Sequence, residues 1–166
     1  FDFPQVDLPC EILAWNDVTE DILNIYKQSC RLKAGIFAIC TEGKMTATIN
    51  LIDYEIKPND LITLLPGTII QFRERTEKVR LCFAGFSSEC VERINLIKSM
   101  VSSFSKITEC PIVELQEDIA SYLIDYFSLL ARVTCDEKLS LPSEMTEVSL
   151  RSILTAVGLI YQRYSS

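Results

Sequence analysis

The stretch Lys57–Phe72, KPNDLITLLPGTIIQF, carries two turn signals that frame short apolar strands. The first signal is Lys57–Asp60 and the second is Pro66-Gly67. Proline fixes φ, Asn and Asp hydrogen-bond their own backbone, and glycine accepts positive φ without a steric penalty. The strands they bound are predicted at Leu61–Leu65 and Thr68–Glu74. Short strands bounded in this way predict an antiparallel barrel or sandwich.

Similar strands are predicted on both sides of this stretch. Ala34–Cys40 is apolar on both faces, as in a strand that is covered on both sides. Thr41–Lys44 follows as a four-residue turn with a glycine, which predicts a hairpin into the alternating strand Met45–Leu51. With short strands at Tyr54–Ile56 and Val79–Phe86, the region holds about six strands at hairpin spacing. This spacing favours a barrel or sandwich over a parallel sheet.

After Phe86 the apolar period changes from that of a strand to that of a helix. Helices are predicted over Glu89–Met100, over Gln116–Val133 and from about Ser143 to Tyr164, with an extended Pro111–Val113 between the first two. Two long helices joined by a short connector predict an antiparallel helical hairpin. The predicted fold class is therefore α+β: a small antiparallel β-barrel over residues 1–86, followed by a helical region over residues 87–166.

The composition excludes several classes of function. Histidine is absent from the 166 residues, so no His-based metal site, general base or Ser-His-Asp triad can form. The net charge of −7 disfavours contact with a phosphate backbone, so we expect no direct nucleic-acid contact from this chain. Acidic residues near the predicted turns are interpreted as solvated turn residues. They are Glu42, Asp53, Glu55 and Asp60.

The seven cysteines show neither a metal-binding nor a disulfide pattern. No CxxC spacing occurs, and the count is odd. We therefore predict reduced thiols, mostly in the core of a cytoplasmic protein. No glycine-rich phosphate loop, no signal peptide and no apolar run of about 18 residues is present. We expect no catalytic residues, no cofactor, no metal and no membrane association.

The predicted barrel has an apolar interior whose lining follows from the register of its strands. Taking Thr41–Lys44 as the register mark, alternate residues of four strands point inward. A barrel of this size is either filled by side chains or holds one small ligand, and a one-residue error would exchange the whole set. The candidate ligand-binding residues are Ile36, Ala38, Cys40, Met45, Ala47, Ile70, Phe72, Leu81 and Phe83.

The order of these motifs resembles the small cupin-like sensor domain of AraC-type transcription regulators. In such domains a glycine opens a strand, an Asn-Asp or Gly-Asp turn precedes an apolar strand, and Pro-Gly leads into the next strand. Gly43, Asn59-Asp60 and Pro66-Gly67 occupy these places. The strand ending Phe83–Ser87 and the helices after it also match the order of that domain. The resemblance covers roughly residues 32–164.

The resemblance implies a cupin-like barrel (a double-stranded β-helix) that binds a small-molecule effector and signals to a separate C-terminal helix-turn-helix domain absent from this chain. Sugar-binding regulators of this type place a polar residue where Cys40 stands, and a histidine often lies where Ile70 stands. Both positions are non-polar here. The resemblance therefore implies no metal site, and either an apolar effector or a filled barrel.

The resemblance also implies a homodimer formed through the helices. The last helix has a broad apolar face, and the residues predicted to form the dimer contact are Leu150, Leu154, Val157 and Tyr161. The alternative is that this face packs only against the preceding helix of the same chain. Two other classes of protein stay open: a free-standing cupin-fold binding protein, and a cupin-fold enzyme, which the absence of histidine disfavours.

Overall fold

The structure is a computed structural model that describes residues 3–15, 24, 26–76, 78–95, 101–135 and 141–164. Within these residues it contains ten strands and four helices. The strands are β1 Gln5–Val6, β2 Ile12–Trp15, β3 Cys30–Leu32, β4 Gly35–Glu42, β5 Met45–Ile49, β6 Ile52–Ile56, β7 Asp60–Leu64, β8 Ile69–Arg75, β9 Arg80–Phe86 and β10 Ile112–Glu114. The helices are α1 Ser88–Arg93, α2 Val101–Glu109, α3 Glu117–Cys135 and α4 Ser143–Tyr164. The α+β class is confirmed.

The strands form two five-stranded sheets. The outer sheet has the order β1-β3-β8-β5-β6, and the inner sheet, which also contacts the helices, has the order β10-β7-β4-β9-β2. All pairs are antiparallel except β1 with β3. Within the described part of the chain, no ring of hydrogen-bonded strands closes into a barrel.

Strands β4 and β5 belong to different sheets, so the predicted hairpin at Thr41–Lys44 is wrong. Strand β4 pairs with β7 and β9, whereas β5 pairs with β6 and β8. The glycine at position 43 correctly predicted a turn, since Gly43 has φ +81°. This turn, however, leads the chain from one sheet to the other instead of joining two paired strands. The β5–β6 hairpin instead turns at Asn50 and Leu51, which both have positive φ, so β5 ends two residues earlier than predicted.

The helices differ from the prediction near residue 94. Helix α1 begins after Ser87, whose side chain accepts a hydrogen bond from the Cys90 amide, and ends at Arg93. The remainder of the predicted helix lies largely in residues 96–100, outside the described residues. Helix α2 was not predicted. The two long helices are confirmed; α3 packs on β2 and β9, and α4 packs beside α2.

Two apolar clusters occupy the two faces of the inner sheet. The helix layer lies between this sheet and the helices, and Phe37, Phe86 and Phe127 are fully buried in it. The inter-sheet layer lies between the two sheets and contains Ile36 and Ala38. Because successive strand residues point to opposite faces, neighbouring residues of β4 belong to different layers.

The four residues predicted to form a dimer contact lie in the helix layer. The exposed fractions are 1% for Leu150, 7% for Leu154, 0% for Val157 and 3% for Tyr161. The Tyr161 hydroxyl donates a hydrogen bond to the Cys110 carbonyl oxygen at 2.6 Å. The face is therefore covered by its own chain, but not by the preceding helix alone, since α4 packs beside α2 and Tyr161 contacts Cys110. A dimer role for these residues stays a prediction that the burial disfavours.

Candidate functional site

An open cavity of about 280 Å³ lies between the two sheets. The part of its lining that the structure describes is apolar apart from one carboxylate and one phenol, and comes from strands of both sheets and from the N-terminal segment. The lining residues are Val6, Asp7, Leu8, Pro9, Leu13, Tyr26, Leu32, Ile36, Ala38, Ile62, Leu64, Ile70, Phe72, Leu81 and Phe83. The volume is near the lower end of the range for small-molecule sites.

Six of the nine predicted ligand-binding residues line this cavity: Ile36, Ala38, Ile70, Phe72, Leu81 and Phe83. The other three, Cys40, Met45 and Ala47, are buried in the inter-sheet layer but do not line the cavity. All nine side chains lie in or against this layer, so the predicted inward faces of the four strands agree with the structure, although the hairpin used as the register mark does not form. Contact of these residues with a ligand stays a prediction.

Strand register brings the inner-sheet part of the lining together. Ala38 on β4 lies opposite Ile62 on β7 and Phe83 on β9, so the three side chains share one face. Ile62 and Leu64 were missed, although continuing the alternation along the apolar strand β7 would have found them. The N-terminal lining residues Val6–Pro9 and Leu13 were missed because that segment shows no clear periodicity.

The phenol of the cavity wall is packed against an apolar neighbour. The Tyr26 ring meets the Phe72 ring edge-on, with centroids 5.7 Å apart and planes at 74°. Burial, with a smaller effect from nearby Cys30, raises the pKa of the Tyr26 hydroxyl, so it stays protonated at neutral pH. Tyr26 therefore contributes an aromatic ring and a neutral hydroxyl to the cavity wall.

The carboxylate of the wall is engaged by helix α1. Asp7 accepts a hydrogen bond from the Ser88 amide at 3.1 Å and one from the Ser88 hydroxyl at 2.5 Å. Partial burial alone would raise the pKa of the Asp7 carboxyl, but these hydrogen bonds and one from the Leu8 amide outweigh it and lower the pKa below its usual value. Asp7 is thus ionised at neutral pH and ties the N-terminal wall to the start of α1.

A second link joins the N-terminal segment to two helices. The Arg93 guanidinium of α1 pairs with Glu11 at 2.7 Å and also with Glu147 of α4. The Ser143 hydroxyl, at the start of α4, donates to Glu11 at 3.3 Å. We call Glu11, Arg93 and Glu147 the ionic link. It connects the segment that walls the cavity to both α1 and α4.

The buried thiols lack the environment of nucleophiles. Burial is the main cause that raises the pKa of Cys40 to about 11 and that of Cys82 to about 12, so both are neutral near pH 7. The six cysteines whose side chains are described are free, and four of them are buried. These observations fit the predicted reduced thiols.

One of the acidic turn residues is not solvated. Asp60, in the turn Lys57–Asp60, is only 2% exposed. Its carboxylate forms an ion pair with the Lys57 ammonium at 3.1 Å and accepts a hydrogen bond from the Lys57 amide at 2.9 Å. The turn has positive φ at Asn59. The prediction of a solvated Asp60 was wrong because this carboxylate closes the turn instead of facing water.

The described residues form neither a candidate metal site nor a membrane-spanning helix. They hold no group of three or more His, Cys, Asp or Glu side chains placed to share a metal ion. None of the helices they form has the length and apolar character needed to cross a membrane.

The fold is similar to that of a known transcription activator. No protein-family model matches the sequence, and no curated protein matches it. Among solved structures, the chain is similar to the AraC-like transcriptional activator CuxR, with a TM-score of 0.50 and 9% identity over 88% of this chain and 47% of CuxR. This likeness confirms the resemblance stated above at the level of the fold.

Two structures of ToxT from Vibrio cholerae match less closely. The apo form of a ToxT variant from strain SCE256 gives a TM-score of 0.46 and 12% identity, over 94% of this chain and 55% of that one. ToxT from strain O395, bound to (E)-4-(8-methylnaphthalen-1-yl)but-3-enoic acid, gives 0.45 and 11%, over 90% and 57%. The chain thus spans about half the length of the solved structures it matches.

Proposed function

We propose that this chain is the effector-sensing domain of a transcription regulator, and that it binds an apolar small molecule between its two sheets. The observation that carries the proposal is the open apolar cavity, lined by residues that the strand register had already pointed inward. The likeness of the fold to an AraC-like activator supports the regulatory class and favours it over an enzyme. The repeated crossing of the chain between the two sheets from β1 to β5 and from β6 to β9 supports a cupin-like arrangement as the finer description of the fold.

The charge and polarity of the cavity lining indicate which kind of ligand would bind there. Among the described residues of the wall, Asp7, whose carboxylate is held by Ser88, is the one charged side chain. Burying a charge without a partner is strongly unfavourable, whereas each buried CH₂ contributes about 0.8 kcal/mol. The favoured ligand is therefore a neutral, largely apolar molecule.

The same wall offers a route from the ligand to the helices. A ligand in the cavity presses on the segment from Val6 to Leu13, which Asp7 ties to α1 and the ionic link ties to α1 and α4. Displacement of this segment changes the contacts of both helices. This is the connection by which binding would reach a DNA-binding domain outside the chain.

A homodimer in the cytoplasm is part of the proposal, but its contact surface differs from the predicted one. Leu150, Leu154, Val157 and Tyr161 are covered by the chain itself. Tyr122 and Leu159 line a groove between α3 and α4 and are 64% and 58% exposed, so they are the candidates for a contact with a second copy. Direct contact of this chain with nucleic acid is not part of the proposal, since its net charge is −7.

The cavity is tested with a neutral apolar probe, the fluorescent dye N-phenyl-1-naphthylamine. Ala38→Leu places a larger side chain in the cavity, and we expect it to weaken dye binding about tenfold, which corresponds to about 1.4 kcal/mol. The matched control is Ala156→Leu, the same change on the outward groove of α4. Fluorescence titration and the shift in thermal midpoint measure both variants.

Equal dye affinity in the wild-type and Ala38→Leu proteins would contradict the proposal, as would an equal loss in both variants. The alternative is a free-standing protein that binds a small molecule in the same cavity but does not regulate transcription. The full reading frame distinguishes the regulator from the free-standing binding protein, since a regulator requires a helix-turn-helix region beyond this chain.

A further inference from the structure

Gly85 stands at a position where the wall of the inter-sheet cavity would be expected to continue. Strand β9 contributes Leu81 and Phe83 to this wall, and because alternate strand residues share a face, residue 85 is the next position on it. Its partners across the sheet are Ile36 on β4 and Leu13 on β2, which also line the cavity. The pattern of the sheet therefore predicts a wall side chain at this position, where the sequence has glycine.

The space above Gly85 is filled by the side chain of Leu8. A Cβ atom added at residue 85 would lie 2.7 Å from Leu8 Cδ1, which is closer than two non-bonded carbon atoms approach. Its next contacts, 3.5 Å to the Phe83 ring and 3.7 Å to Ile36 Cγ1, would be ordinary ones. Leu8 is thus the neighbour that a side chain at position 85 would displace.

The backbone gives no other reason for a glycine at this position. Residue 85 is paired with both β4 and β2, and its φ is not positive, unlike those of Gly43 and Gly67. Glycine inside a strand lowers stability relative to a residue with a side chain, and it often marks a close approach by another part of the molecule. At Gly85 that approach is the one made by Leu8.

Hydrogen bonds on both sides of Leu8 hold it in this place. Before it, Asp7 accepts from the Ser88 amide at 3.1 Å. After it, the Glu11 carbonyl oxygen accepts from the Ser87 amide at 3.0 Å. Both donors directly follow β9, so the segment that carries Leu8 is attached to the end of the strand that contains Gly85. Leu8 is therefore a fixed part of the cavity wall.

We propose that Leu8 sets the upper limit on the length of the ligand, because it closes the inter-sheet cavity at the position of Gly85. This inference rests on the proposed function of that cavity and adds length to the properties for which the wall selects. A ligand extends along Leu81 and Phe83, and the Leu8 side chain stops it at the next position of the strand. Each CH₂ group that a ligand buries raises its affinity about fourfold, and this gain ends where the ligand meets Leu8.

Straight-chain primary alcohols from 1-pentanol to 1-undecanol measure this limit by isothermal titration calorimetry. For the wild-type protein, we expect affinity to rise about fourfold per carbon atom and then to level off. Leu8→Ala should move this levelling-off to chains longer by about two or three carbon atoms, because it removes the side chain that ends the cavity. Leu8→Phe should move it to shorter chains. The matched control is Leu129→Ala, the same change at a position 44% exposed on α3, which should leave it unchanged.

Gly85→Ala tests the contact between the two residues. We expect it to weaken binding of the longest alcohol that the wild-type protein accepts by about tenfold, because the added methyl group displaces Leu8. In a protein that already carries Leu8→Ala, the same change should weaken binding by less than about threefold, since the shortened side chain does not reach the methyl group. Equal losses in the two backgrounds would contradict the proposed role of this contact.

The outcomes distinguish this inference from the proposed function. If affinity levels off at the same chain length in the wild-type, Leu8→Ala and Leu8→Phe proteins, Leu8 does not set the limit, while the cavity is still a binding site. An affinity that keeps rising to 1-undecanol in the wild-type protein would also overturn the inference. If no alcohol binds to any of the proteins up to its solubility limit, both the inference and the proposed function are wrong.

Discussion

The two faces of the inner sheet are packed to different degrees, although both are built from the same strands. On the helix-layer face, Phe37 and Ile39 of β4 are fully buried, and the Phe37 ring meets Phe86 edge-on with centroids 6.4 Å apart. On the inter-sheet face, Ile36 and Ala38 of the same strand border an open cavity of about 280 Å³. Close packing is what makes large-to-small changes destabilising, while a cavity provides room for a ligand. Alternate residues of one strand therefore belong to a closely packed layer on one face and to the wall of an open cavity on the other.

The largest expected effect is on the closely packed face. Phe37→Ala removes a fully buried ring from the helix layer, and we expect a loss of about 3–5 kcal/mol in the free energy of unfolding. Urea denaturation measures it. The control is Phe104→Ala on α2, which removes the same ring at a position 42% exposed and should have a smaller effect. A similar loss in both variants would mean that the helix layer is not the main core.

A matched enlargement on the two faces gives an intermediate effect. Ala84 lies on β9 in the helix layer and is fully buried, whereas Ala38 lines the cavity. We expect Ala84→Leu to cost about 1–3 kcal/mol through overpacking, and Ala38→Leu to cost less because the cavity accommodates the added atoms. Thermal and urea unfolding of both variants measure the difference. Equal destabilisation would remove the proposed distinction between the two faces.

The smallest effect concerns acid stability on the cavity side. The folded protein lowers the pKa of Asp7 below its ordinary value of 3.8, so the ionised carboxylate stabilises the native state at neutral pH. This stabilisation is complete well above that value and is lost as the pH falls through the lower pKa of the folded state. Asp7→Asn lacks it, so we expect this variant to be slightly less stable at pH 7 and to converge with wild type at low pH. The pH dependence of the urea midpoint tests this, and parallel curves for the two proteins would contradict it.

Local patterns predicted the elements better than their pairing. The apolar run of β4, the alternation of β5 and the apolar stripes of α3 and α4 located these elements within a few residues, because side-chain period follows directly from backbone geometry. Helix α2, VSSFSKITE, was missed although Val101, Phe104 and Ile107 recur at helical spacing, because its serines and β-branched residues have low helix propensity. Its position is set by packing beside α4.

The pairing of strands could not be obtained in the same way. A glycine turn such as the one at Gly43 has the same sequence chemistry whether it closes a hairpin or leads the chain to the other sheet. The cavity lining shows the same limit. The strand residues followed from alternation, but Asp7 and Leu8 reach the cavity through the parallel pairing of β1 with β3, a contact between distant parts of the chain. Nothing in their local sequence encodes that contact.

The strand order of the inner sheet also affects how the protein folds during synthesis. Strand β2, at Ile12–Trp15, pairs with β9 at Phe83–Phe86, so it has no sheet partner until that later segment has left the ribosome. The helix-layer face of the completed sheet, with Phe37, Ile39 and Cys82, stays uncovered until α3 and α4 have also emerged. Pairing over such sequence distances slows folding, and a nascent chain with an exposed apolar sheet is prone to aggregation. The interval between the synthesis of β9 and that of α4 is therefore the stage at which the nascent chain exposes the most apolar sheet surface.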